Sequence, residues 1–133
     1  MKNQKLFRGL LIVTALFVCF YWGSVFTGIF PVEELVPGYK NWFMSFPLPD
    51  FYVAICAIVT CIYLKTNIKL ATLLGAMTGS GLLFLGLYAL AYGHNTGLLY
   101  NLTTDEIIEI FIKIYCLSVG TFFILASWKL LKQ

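Results

Sequence analysis

Hydrophobic residues in this chain run on in long stretches instead of recurring at a spacing. Four such stretches, at about 9–30, 50–65, 70–92 and 106–128, are separated by short polar segments. A helix crossing a hydrocarbon core of roughly 30 Å needs about 20 apolar residues. The pattern therefore predicts an all-α integral membrane four-helix bundle, a single domain over residues 1–133, with no repeat and no soluble module. Composition supports this. Sixty per cent of residues are hydrophobic, 11% are charged and mean hydropathy is +0.87. Soluble domains hold roughly 45–50% apolar and about 25% charged residues. A net charge of +3 leaves no basic surface for nucleic acid, which is excluded as a partner. Lys2, Lys5 and Arg8 ahead of the first stretch imitate a signal-peptide start. The apolar run is too long for one and no small-x-small site follows, so it reads as an uncleaved span.

Charge placement orders the spans. Lys2, Lys5, Arg8, Lys65, Lys69, Lys129 and Lys132 fall at one side of a four-span arrangement. Glu33, Glu34, Asp50, Asp105, Glu106 and Glu109 fall on or near the other. The positive-inside rule then predicts both termini in the cytoplasm and both acidic connections outside. Short loops and a small bundle suit a bacterial plasma membrane. Trp42, Tyr92 and Tyr100 on the outer side, with Tyr63 and Trp128 on the inner, match interfacial aromatic belts.

Two places break the apolar pattern. The second stretch is short, and Pro47 and Pro49 precede it. Proline removes a backbone donor and drives the residue before it towards extended geometry. The expectation is a dipping loop over residues 42–50 in the outer leaflet, with Asp50 capping the second helix. Irregular backbone at that depth needs protein or a cavity beside it. The second break is Lys113, about 22 Å along the helix from Trp128. Glu109 lies four residues earlier, the favourable order for an ion pair. Glu109, Lys113, Cys116 and Gly120 form a polar-to-small stripe that suits the bundle interior better than lipid. Asp50 and Lys113 each have a plain alternative, as a wet N-cap and as a snorkelling lysine.

The third span carries Ala71, Gly75, Gly79 and Gly86, including a small-x-x-x-small motif. It predicts close helix packing within the bundle, or else a homodimer seam through Gly75 and Gly79. Chemistry-bearing residues are otherwise few. His94, the single histidine, sits beside Gly93 and Asn95 and marks a turn; it makes histidine-based metal or haem ligation unsuitable, so neither a metal nor a cofactor is expected. Cys19, Cys56, Cys61 and Cys116 lie within spans, form no C-x-x-C and read as small hydrophobes.

Tyr21-Trp22, Gly28, Pro31, Glu33-Glu34, Ser45-Phe46-Pro47 and Asp50 resemble a pattern in small bacterial four-span membrane proteins of the YvaD-like type. This likeness covers roughly the first half of the chain and implies architecture without an activity. Trp42, Phe43, Ser45, Phe46 and Asp50 are also loosely similar to the EXPERA group of emopamil-binding and sigma-2-receptor-like proteins. That likeness implies four spans and, in its enzymes, isomerase chemistry with a second acid in the first span, which residues 9–30 do not contain.

The favoured function is a non-enzymatic one: binding a lipid or other amphiphile, or a partner membrane protein, in an outward-facing intramembrane pocket. Asp50, Glu109 and Lys113 are its candidate polar groups, with Trp22 and Trp42 as candidate rings. Two alternatives stand beside it. One is a proton-coupled transporter or ion-conducting oligomer. The other is an EXPERA-like isomerase with Asp50 as acid/base.

Overall fold

A computed structural model describes residues 2–133. The chain is 81% helical. Its elements are α1 (Lys2–Phe26), α2 (Tyr39–Phe43), α3 (Pro47–Tyr63), α4 (Ile68–Thr96) and α5 (Thr104–Leu131), with a 3₁₀ turn at Leu98–Tyr100. Four stretches are long and apolar enough to cross a membrane: Asn3–Phe26, Tyr39–Tyr63, Ile68–Thr96 and Thr104–Leu131. The number of spans matches the apolar pattern, while their ends move. The first helix stops at Phe26, four residues before the last apolar residue of its stretch, because Gly28 adopts φ +78° and Pro31 follows. Gly93-His94-Asn95 is helix and not a turn. The chain reverses at Gly97 instead, a left-handed cap with φ +76°. His94 Nδ1 and Tyr100 Oη, 2.7 Å apart, pin that connection.

The expected dipping loop is largely helical. Only Met44, Ser45 and Phe46 interrupt the second span, between α2 and α3. Pro47 and Pro49 do not break α3 because they occupy its first turn, where backbone N–H groups have no helical partner to lose. Phe46 precedes a proline yet lies in the helical region, at φ −78° and ψ −27°. The bias of pre-proline residues towards extended backbone is a preference, and here the neighbouring helical turns override it. Asp50 is not the N-cap. Phe46 holds that position, and Asp50 sits inside the first turn, its amide bonded to the Phe46 carbonyl at 2.9 Å.

Cross-helix pairs define an up-down-up-down bundle. Trp22 meets Asp50 and Cys61 meets Arg8, so α1 and α3 are antiparallel. Phe7 packs edge-on against Phe123, Thr14 meets Tyr115 and Tyr21 meets Glu109, so α1 and α5 are antiparallel too. One end of the bundle consequently gathers Lys5, Arg8, Lys65, Lys69, Lys129 and Lys132. The opposite end gathers Glu33, Glu34, Asp105 and Glu106, along with Lys40.

The bundle is apolar outside, and inside it mixes large rings and aliphatic groups, Phe7, Leu11, Trp22, Val53 and Phe123, with small hydroxylic residues. Phe20, Leu48, Phe84 and Phe111 are more than two-thirds exposed, as lipid contact requires. Thr14, Thr60, Thr78 and Ser127 are at most 1% exposed. The three threonine hydroxyls each return to the carbonyl four residues back, at 2.7–2.8 Å, which satisfies them where no water can. The cysteines divide: Cys56 and Cys116 are buried, whereas Cys19 faces outward.

Between α4 and α5 the backbones nearly touch. A Cβ added to Gly79 would lie 2.6 Å from the Gly120 carbonyl oxygen, and one added to Gly120 would lie 2.8 Å from that of Gly79. A Cβ on Gly75 would meet Ser127 Oγ at 2.5 Å and Phe7 at 2.9 Å. The face bearing Gly75 and Gly79 thus packs against the chain's own helices. Buried residues of α5 at 106, 113, 116, 120, 123, 127 and 130 follow the three-four spacing of a coiled-coil seam.

This backbone-to-backbone contact has no room for an added methyl group. Gly79→Ala should lower the unfolding temperature of the detergent-solubilised chain, at a cost of about 1–3 kcal/mol for overpacking. Gly23→Ala, where an added Cβ meets nothing within 4 Å, should leave it unchanged. Circular-dichroism melts of the two variants check the pair.

Candidate functional site

Near the acidic end the bundle holds a partly open cavity of about 70 Å³. Its lining includes Trp22, Trp42, Asp50, Glu109 and Lys113. The five residues singled out by sequence therefore converge, from three of the four spans, on one space. At about 10–15 Å³ per water-sized probe, that space suits a small polar group and not a whole lipid.

Asp50 reaches the interior from the first turn of α3. Its Oδ2 accepts a hydrogen bond from Trp22 Nε1 at 2.7 Å, a short bond for an indole donor and a carboxylate acceptor. Trp22 is 1% exposed, so α1 holds this donor rigidly. The bond also sets the height of α1 against α3.

Lys113 does not pair with Glu109. Its Nζ lies 2.9 Å from Glu106 Oε1, seven residues back, and both side chains are almost completely buried. A lysine on a helix leans towards the N-terminus, so a buried Lys113 reaches past Glu109 to the residue two turns up the same face. Gly93 of α4 makes room for it: a Cβ there would stand 3.1 Å from Nζ. Glu109, freed of that pairing, accepts from the Tyr21 hydroxyl at 3.2 Å. Lys113 is accordingly neither snorkelling to lipid nor unpartnered.

Aromatic rings enclose the space. Helix α2 stands at the acidic end with Tyr39 and Phe43 buried. Trp42 stacks on Tyr92 of α4, with ring centroids 3.9 Å apart and planes 8° from parallel. Trp22 meets Phe43 edge-on at 5.4 Å. Trp42 thus borders the cavity. Its Nε1 is buried without a protein partner. A second, smaller space beside it, about 10 Å³, is bordered by Trp42, Glu106, Glu109 and Lys113.

Sequence reasoning missed Glu106 as an interior group, although its position seven residues before Lys113 keeps the heptad phase and was a usable signal. It also missed the Thr14–Tyr115 pair, 2.7 Å apart. No spacing rule links residues so far apart in the chain.

Taken together, the polar groups are unbalanced. Asp50, Glu106 and Glu109 face a single ammonium, that of Lys113. Glu106 takes that ammonium, while Asp50 and Glu109 have only neutral donors, an indole and a phenol. Even half-buried charge gains from a counter-charge. The arrangement suits a cation or a proton in the cavity.

The buried pair allows a direct check. Glu106→Gln alone strands the Lys113 ammonium and should cost about 3–5 kcal/mol, whereas joint replacement by Glu106→Leu and Lys113→Met should recover most of that loss. Thermal unfolding in detergent distinguishes the two, and equal losses for the single and double variants would contradict the pairing.

No protein-family model, curated protein or solved structure matches this chain.

Proposed function

We propose that this chain is a non-enzymatic membrane protein that binds a lipid or other amphiphile through the cavity at its acidic end. The carrying observation is the surplus of carboxylates there, Asp50 and Glu109 half-buried beside the buried Glu106–Lys113 pair. Asp50 and Glu109 line the cavity with neutral donors only, and the rings of Trp22, Trp42 and Phe43 surround them. An amphiphile with an amine in its head supplies the missing positive charge, and aromatic faces favour such a cation as well. The unpartnered Trp42 Nε1 supports a head that also carries a hydrogen-bond acceptor. A space of about 70 Å³ accommodates the head while the tail stays with the bilayer.

The reading includes an orientation. With Lys5, Arg8, Lys65, Lys69, Lys129 and Lys132 facing the cytoplasm, the cavity opens in the outer half of a plasma membrane. In intact cells a membrane-impermeant maleimide should label Asn101→Cys, and should label Lys132→Cys only after permeabilisation. The reverse result would invert the orientation.

Native mass spectrometry of gently solubilised protein tests the binding. Wild type should carry a co-purifying amphiphile at stoichiometric level. Asp50→Asn, which removes the anionic acceptor but keeps the shape, should lose it, and Gly23→Ala should retain it. A bare wild-type chain would reduce Asp50 to a structural partner of Trp22 and overturn the proposal.

A further inference from the structure

A head group buried among the helices needs a route for its tail, and the walls of the cavity are not equivalent. Towards α3 and α4 the wall is Val53 and Leu85, which are 1% and 8% exposed. A Cβ on Gly81 would press on Val53 Cγ2 at 2.8 Å, so these two helices are already close there. Towards α4 and α5 the backbones meet at Gly79 and Gly120. Above, α2 and its rings form the roof.

The side between α1 and α5 is built differently. At the basic end Phe7 closes it against Phe122 and Phe123. Higher up, the two helices are joined by side chains alone: Thr14 with Tyr115 at 2.7 Å, Tyr21 with Glu109 at 3.2 Å, and Phe17 against Tyr115 with ring centroids 6.0 Å apart. Phe17 also stacks on Tyr21. Phe17, at 45% exposed, is the most open residue of the cavity lining, and its neighbours Tyr21 and Tyr115 in the same seam are half-buried. The cavity is therefore separated from lipid here by a shutter of side chains, not by packed backbone.

We infer that the α1–α5 seam is the lipid-side doorway of the cavity, and that the hydrocarbon tail of a head-bound amphiphile lies in it. The inference rests on the binding proposed above. Its occupant is an alkyl chain, since the seam lies at membrane depth and the rings bordering it are apolar on their faces. Two of its three bridges are hydrogen bonds that a lateral shift of α1, or rotation of Tyr115 and Tyr21, would release. One of these bridges ends on Glu109, so an amine drawn to Glu109 competes with Tyr21 for the same carboxylate. Arrival of the head thus loosens the shutter through which it came.

The test uses the full chain in phosphatidylcholine vesicles and a stearylamine carrying a diazirine at mid-chain. After photolysis, labelled residues are located by peptide mass spectrometry, with and without excess unlabelled stearylamine. Label that the excess amine displaces should fall on residues 13–21 and 108–119, and should be lost in Asp50→Asn. Tyr115→Phe, which removes the Thr14 bond but keeps the ring, should speed its appearance. Displaceable label confined to Leu73, Met77 and Phe84, in the outer groove between α3 and α4, would overturn the doorway and leave the amine site standing. Label that excess amine does not displace, equal in wild type and Asp50→Asn, would overturn the amine site and the doorway with it.

Discussion

The close approach of α4 and α5 governs much of what else the molecule can do. In hydrocarbon there is no hydrophobic drive between helices, so association depends on how near the backbones can come. Glycines at 79 and 120 bring carbonyl oxygen and Cα almost to contact, and Gly75 and Gly86 extend the same seam in both directions. Dispersion along a seam of this length accumulates from many small contacts. The same packing fixes the rotation of α5. It turns Glu106, Lys113 and Cys116 inward and sends Phe111, Ile114 and Leu125 out to lipid.

That rotation brings charge into the bundle interior, and the remaining architecture accommodates it. The Lys113 ammonium passes the space left by Gly93 and reaches Glu106. Trp22 crosses from α1 to Asp50, and Tyr21 crosses to Glu109. Each bond joins a different pair of positions, so together they tie α1, α3 and α5 around one cavity. Pro47 and Pro49 contribute by starting α3 early enough for Asp50 to fall on its first helical turn. There the carboxylate lies near the positive end of the helix dipole and within reach of Trp22. The outcome is a bundle closely packed along α4 and α5 and bridged by side chains between α1 and α5.

Much of this was legible in the residues. The four spans followed from long apolar runs, because the thickness of a bilayer sets a length that few other structures demand. The antiparallel order was implicit in the alternation of basic and acidic connections. Gly75-x-x-x-Gly79 announced a close helix contact, and the stripe through Lys113, Cys116 and Gly120 announced an inward face. Asp50, Glu109, Lys113, Trp22 and Trp42 stood out because polar or amphipathic groups among apolar neighbours need a reason to be there. These signals are local, and each can be read within a turn or two of helix.

Other features depended on neighbours that lie far along the chain. Periodicity placed Glu109 and Lys113 on one face, but only the packing of α4 decided that Lys113 would bond Glu106 and leave Glu109 to Tyr21. Proline chemistry suggested an irregular loop before the second helix. Its effect changed once the prolines fell in a first turn, where the hydrogen bonds they cannot make are absent in any residue. Gly75 and Gly79 announced a close helix contact without naming its partner, and the position of α5 supplied one within the chain. Sequence by itself determined how many helices cross and which faces carry polarity, since both are set by solvation along a single helix. Tertiary structure alone decided which charges meet and which seam is thin, since these depend on distances between helices that no local pattern contains.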